Sequence, residues 1–170
     1  MIEEFREINP EQISDNVFKL IGSDWMLITS GNKIDYNCMT ASWGGLGVLW
    51  DEDVSFCFIR PTRYTYSFME KNDQYTISFF DESYREALDF CGSYSGRNVK
   101  NKGVAAGLTP MEENGVVFFK EARLVIFCKK IYYQDIIPSN FLEDKIAHHY
   151  PKSDYHRMYI GKILKCIYKC

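Results

Sequence analysis

The stretch "IRPTRYTYSF" holds residues suited to binding an anion. Pro61 ends a strand and a helix begins with Thr62, Arg63, Tyr64 and Thr65. The first turn of a helix has unpaired N–H groups and a partial positive charge, which together favour phosphate. Arg63 and Arg60 add paired donors, and Thr62 and Thr65 add hydroxyls. The same residues also fit a capped surface helix, and the segment alone leaves both readings open. A second stretch, "FCGSYSGRNVK", mixes glycine and serine with Arg97 and Lys100. Backbone nests followed by a cation hold phosphate well, and a solvated loop is the other reading. No Walker or dinucleotide-binding glycine pattern accompanies either stretch.

A third stretch, "NCMTASWGGLGVLW", starts like a strand and then reaches Gly44, Gly45 and Gly47. Glycine removes side chains that would block an approaching ligand. Main-chain N–H groups from Thr40 to Trp43 can bond a planar heterocycle edge-on, with the Trp43 indole beside it. A hairpin or bulge needing positive φ accounts for the glycines equally well. In "YHRMYIG", His156 stands between Tyr155 and Tyr159. It is placed to contact a redox partner's ring or to stabilise negative charge on a reduced one. A half-buried structural histidine is the alternative. His148 and His149 read as surface residues, and no metal site is expected.

Hydrolytic sets are missing: the chain contains no GxSxG elbow and no HExxH motif. An anion clamp, an open backbone platform and aromatics without acid–base machinery imply that a cofactor supplies the reactivity.

The elements that must position these residues are mostly strands. WMLITS (Trp25 to Ser30) is followed by turn chemistry at Gly31 and Asn32, and the chain returns through Ile34 to Trp43. Val54 to Pro61, Gln74 to Phe80, Gly115 to Phe119, Ala122 to Ile136 and Tyr155 to Tyr168 are further strands. Ala122 to Ile136 is long enough to require a bend or bulge. Short helices are expected at Thr62 to Asn72, with Thr62 as N-cap, at Ser83 to Gly92, and at Asn140 to Tyr150. About seven strands with two or three short helices make the fold mainly β, a split antiparallel Greek-key barrel.

The chain of 170 residues fits a single domain spanning 1–170. Its formal net charge of -3, with scattered Lys and Arg, argues against a nucleic-acid binder. The acidic start, MIEEFREINPEQ, lacks an apolar signal region, and no apolar run approaches the roughly 18 residues of a spanning helix. No membrane association and a cytoplasmic location are therefore expected. None of the six cysteines forms a CxxC pair, and most read as buried thiols in a reducing compartment. Cys166 and Cys170, with Cys38 or Cys91, are a weaker redox or metal alternative.

Four segments in order, "NCMTASWGGLG", "FIRPTRYTYSF", "YTISFFDESYREALDFCGSYSGR" and "DYHRMYIG", give the chain a family resemblance from about Trp25 to Gly161. It resembles the flavin reductase-like family of FMN-binding split-barrel proteins, which includes flavoredoxin. The resemblance implies a homodimer with FMN near the subunit interface. It implies that Asn37, Thr40, Ala41, Ser42 and Trp43 border the isoalloxazine and ribityl chain. Arg60, Thr62, Arg63, Tyr64 and Thr65 would clamp the phosphate, and Phe79 would line the ring pocket. Gly92, Ser93, Ser95 and Arg97 would complete the phosphate and ribityl side. His156 and Tyr159 would act catalytically, where a nicotinamide or other donor approaches. Cys38 departs from the small hydroxyl expected at its position.

The implied function is an NAD(P)H-dependent, FMN-binding oxidoreductase that passes electrons to a flavin or small acceptor. The alternative is a flavoredoxin-type carrier that exchanges electrons with a redox protein partner and has no NAD(P)H activity of its own. A binding module that has lost its cofactor is a third reading.

Overall fold

Alternate side chains along the central strands fall into two different hydrophobic clusters. A computed structural model describes residues 4–170, so the first three residues of the acidic N-terminal stretch lie outside the described residues. The strands are β1 (Phe5–Ile8), β2 (Met26–Gly31), β3 (Tyr36–Ala41), β4 (Gly44–Leu49), β5 (Glu52–Ile59), β6 (Gln74–Phe79), β7 (Pro110–Glu113), β8 (Val116–Phe119), β9 (Leu124–Asp135) and β10 (Arg157–Lys169). The helices are α1 (Val17–Gly22), α2 (Tyr64–Lys71), α3 (Arg85–Ser93) and α4 (Lys102–Ala105).

Successive strand residues point to opposite faces. Ile28, Met39, Ile77, Ile126 and Tyr159 fill one cluster. Their neighbours Leu27, Cys38 and Val125 fill the other, with Leu88 and Cys91 of α3 and Val117 to Phe119 of β8. Both faces of β2 are covered, so it reads as a continuous buried run.

The eight-stranded sheet runs β3-β2-β6-β9-β10-β5-β4, and β1 pairs with β10. Every pairing is antiparallel. β10 divides its outer side: Arg157 to Lys162 pair with β5, and Cys166 to Lys169 pair with β1. The two edges of the path, β3 and β4, are consecutive in the chain but do not pair. Ser42 and Trp43 cross the seam between them. This is the split antiparallel barrel expected from the sequence.

β9 carries the anticipated bulge. Ile160 faces Tyr132 and Gly161 faces Lys130, leaving Ile131 over; a second irregularity leaves Leu164 over in β10.

The element count exceeds the sequence expectation. β4 is a strand despite its glycines because it pairs with β5 across a tight turn. Trp50 and Asp51 take positive φ of 55° and 58° there, the conformation of a two-residue hairpin loop. β1, β7, α1 and α4 were also not anticipated. The helix expected over Asn140 to Tyr150 is instead a 3-10 segment, Asp144–His149, with no buried residue to stabilise a longer one.

Candidate functional site

The open seam and the two helix ends beside it form one continuous set of clefts. Met39 to Trp43, Phe58, Arg60, Arg63 and His156 line the first. Thr40 to Ser42 also face a second, with Leu88, Gly92 and Ser93 of α3 on its other side. Arg63 and Ser93 continue into a third, with Thr62, Tyr64, Thr65, Ser95 and Lys102.

Local packing fixes these walls. α2 begins one residue later than the sequence indicates: Arg63, not Thr62, occupies the N-cap position, and its side chain makes no cap bond. Tyr66 N–H donates to the Arg63 carbonyl at 3.0 Å, and among the described residues the N–H groups of Tyr64 and Thr65 are left to the cleft that Thr62 to Thr65 line. The Arg63 guanidinium reaches across and donates from Nη2 to the Gly92 carbonyl at 2.8 Å. Behind the turn, Asn37 donates from Nδ2 to Thr65 Oγ1 at 2.7 Å. Gly96 makes this contact possible, since a Cβ there would lie 2.0 Å from Asn37 Oδ1 and 2.9 Å from the Tyr64 ring. Arg97 donates to the Thr62 carbonyl at 3.2 Å and stacks over Tyr64.

Lys102 was missed by the sequence reading, although it lies two residues beyond the "SYSGRNVK" motif in a lysine-rich loop. It is only 2% exposed. Its Nζ donates to the Cys91 carbonyl at 2.7 Å and to the Tyr94 carbonyl at 2.8 Å, closing the C-terminal end of α3. Gly103 sets α4 down on Phe119, where a Cβ would meet the ring at 2.6 Å. Neither Lys102 nor Arg63 makes an ion pair among the described residues. Burial pushes the Lys102 ammonium pKa down; the neighbouring Cys38 and Cys91 sulfurs oppose this, and Arg63 pushes it further down. Burial and then Arg60 likewise lower Arg63. Buried cations are normally compensated by an opposite charge, and an anion in the third cleft would supply it. The residues therefore fit a phosphate group.

The ring-side wall is organised differently from the expectation. Arg60 is engaged by the segment between β9 and β10: it bonds Asp154 Oδ1 at 2.7 Å and the His149 carbonyl at 2.8 Å. His156 is buried, with Nδ1 2.9 Å from the Tyr150 hydroxyl. Burial, then Arg60, lowers its pKa to about 4, so the imidazole is neutral at pH 7. It can offer a hydrogen bond to negative charge on a bound ring but not a full positive charge. The Trp43 ring lies 5.3 Å from His149 and 5.2 Å from His156, centroid to centroid. Tyr150 and Asp154 were not singled out from the sequence, because nothing in their spacing indicates that this segment folds back on the cleft.

Two residues expected at the site are placed elsewhere. Tyr159 is fully buried in the barrel core, and its hydroxyl donates to Glu70 Oε1 at 2.6 Å. Phe79 is also fully buried in that core. Strand parity accounts for Tyr159, which shares the interior face with Cys57, its partner across β5. The glycines answer to the sheet as well. A Cβ at Gly44 would meet the Phe56 carbonyl at 2.7 Å and Met26 Cε at 2.8 Å, so packing alone excludes a side chain there. The cysteine set considered above is not assembled: Cys38 and Cys91 meet on one side of the sheet, Cys166 lies in the other cluster, and Cys170 is exposed. Among the described residues, no group of three or more metal-ligating side chains occurs, and no helix is long and apolar enough to cross a membrane.

A family model described as "Flavin reductase like domain" matches residues 18–168. A search of curated proteins finds no match. Among solved structures, the fold is similar to an FMN-binding domain of a flavin reductases-like enzyme from Shewanella baltica, with TM-score 0.70, 15% identity, and 97% of this chain and 77% of that one covered. It is similar to a flavoredoxin from Methanosarcina acetivorans, with TM-score 0.67, 17% identity, and 94% and 75% covered. It is also similar to an NADH:FAD oxidoreductase from Streptomyces globisporus, with TM-score 0.62, 10% identity, and 86% and 81% covered.

Proposed function

The chain belongs to the flavin reductase-like family, and from that premise we propose that it is an FMN-binding oxidoreductase that takes electrons from NADH or NADPH and passes them to a flavin or other small acceptor. The observation that carries this reading is the pair of cations without carboxylate partners, Arg63 and Lys102, beside the hydroxyls of Thr62, Thr65, Ser93 and Ser95. That wall opens directly onto the β3–β4 seam.

When bound, FMN supplies the hydride and electron-transfer chemistry. The protein's part is binding and electrostatics. Arg63 and Lys102 hold the phosphate, helped by the first-turn N–H groups of α2. Thr40 to Trp43 present main-chain donors along the seam. Where the Tyr150 hydroxyl donates to Nδ1 of His156, the ring proton is kept on Nε2, so the neutral imidazole can donate into the cleft. Arg60 fixes the segment bearing His149 and Asp154 and thereby shapes the approach of the electron donor.

We place the working unit as a homodimer, with the domain spanning 1–170. Support comes from β4, which lies at the edge of the sheet path, and from the exposed side chains Trp43 and Val48 and the exposed Trp50–Tyr132 pair along and beside it. Five buried free cysteines support a reducing compartment, and we assign the protein to the cytoplasm. The same exposed strip suits the second reading, a flavoredoxin-type carrier that meets a redox protein.

Anaerobic addition of NADH and NADPH to the FMN-loaded protein tests the proposal. Bleaching of the flavin spectrum by either nucleotide, with turnover on a flavin acceptor, is the expected result. A flavin left oxidised by both nucleotides but reduced by a protein donor would favour the carrier.

A further inference from the structure

Two thiols meet where α3 rests on β3. Cys38 Sγ lies 3.9 Å from Cys91 Sγ, and both side chains are buried. They come from elements 53 positions apart, so the contact is made by the fold and not by a local motif. α3 sits unusually close to the strand here. Thr40 Oγ1 donates to the Leu88 carbonyl, and a Cβ at Gly92 would lie 3.3 Å from Thr40 Cβ. A disulfide needs its sulfurs about 2 Å apart, so the two thiols have about 2 Å left to close.

We infer that Cys38 and Cys91 are an oxidisable dithiol, a modification site that closes to an intramolecular disulfide when a hydroperoxide reaches it. The two thiols are chemically distinct. A hydrogen bond from the Cys38 thiol, together with the nearby Lys102 ammonium, favours the thiolate at Cys91. The hydrogen bond to Cys91, with burial, keeps Cys38 protonated.

In the first step Cys91, having lost its proton, attacks one peroxide oxygen. The O–O bond breaks, and Cys91 becomes a sulfenic acid as hydroxide leaves. In the second step the Cys38 sulfur attacks the Cys91 sulfur. The S–S bond forms, the S–O bond breaks, and the departing hydroxide takes the Cys38 proton as water. Two thiols are oxidised, and one peroxide is reduced to two waters. The disulfide would tie β3 to the end of α3, the turn whose carbonyls Arg63 and Lys102 hold.

The test uses the whole chain with Cys170→Ser, which removes the exposed thiol. Folded, reduced protein is treated with hydrogen peroxide, and remaining thiols are alkylated before peptide mapping. The expected result is loss of two thiols and a cross-linked peptide joining Cys38 to Cys91. A Cys38→Ala variant should accumulate a dimedone-reactive sulfenic acid at Cys91, whereas Cys91→Ala should leave Cys38 as a thiol. Full retention of both thiols in folded protein, or a disulfide joining other cysteines, would overturn the inference. The mapping needs neither flavin nor either alanine variant, so it stands apart from the proposed activity and from any folding defect.

Discussion

Arg63 donates from Nη2 to the Gly92 carbonyl at 2.8 Å, joining the N-cap of α2 to the last turn of α3. Arg63 and Lys102 line the same cleft. Lys102, buried, and Arg63, half-buried, face hydroxyls and carbonyl dipoles, and neither pairs with a carboxylate among the described residues. A phosphate in the cleft would supply the missing negative charge.

Arg63→Ala should weaken FMN binding. Loss of a charge-assisted hydrogen bond costs about 1.5–3 kcal/mol, or roughly tenfold to over a hundredfold in Kd. Flavin fluorescence titration measures it, and an unchanged Kd would remove Arg63 from the clamp.

Gly96→Ala should destabilise the fold by about 1–3 kcal/mol, the usual cost of overpacking. The new methyl would press on Asn37 Oδ1 and the Tyr64 ring, displacing the turn that Asn37 anchors through Thr65. Denaturant unfolding reads the effect, and a stability equal to wild type would show that the loop relaxes freely.

His156 predicts an acid-sensitive fold. Its pKa is about 4 when folded against an ordinary 6.5, so between these values the unfolded chain binds more protons than the folded one. Stability from this group is complete above about pH 6.5 and is lost as pH falls towards 4, by up to about 3 kcal/mol. Replacing His156 with Asn should flatten stability against pH in that window, whatever it does to stability at neutral pH. An unaltered slope would mean that His156 is not buried neutral.

Tyr159→Phe separates a core role from a catalytic one. It removes the hydrogen bond to Glu70 and should cost about 1 kcal/mol of stability. FMN affinity and the rate of flavin reduction should stay at wild-type values. A selective fall in reduction rate would return Tyr159 to the site.

Much of this site is legible in residue order, and its failures have physical causes. Arg63, Thr65 and Ser93 advertise themselves because helix ends and glycine–serine turns have local signatures. The family resemblance alone implies a place for Tyr159 at the cleft beside His156. Strand alternation turns residue 159 into the barrel, and the register that decides this is set by β5 and β9, far away in the chain. Lys102 shows the reverse problem. Its importance comes from burial without a carboxylate, a property of three-dimensional packing that no spacing encodes. β4 went unrecognised because glycine is depleted from strands, and because its hairpin turn is Trp50–Asp51 and not an Asn-Gly pair. The long strand β9 did announce its bulge, since twelve residues on a curved sheet rarely pair without one.

The central claim is that a phosphate-bearing flavin completes the charge of the cleft around Lys102. Parallel titrations of the wild-type protein and Lys102→Met with FMN and with riboflavin, which lacks the phosphate, test it most directly. The account predicts that wild type binds FMN far more tightly than riboflavin, and that Lys102→Met loses most of that difference while riboflavin affinity barely moves. Equal affinities of wild type for the two flavins, or an equal loss for both in the variant, would contradict it.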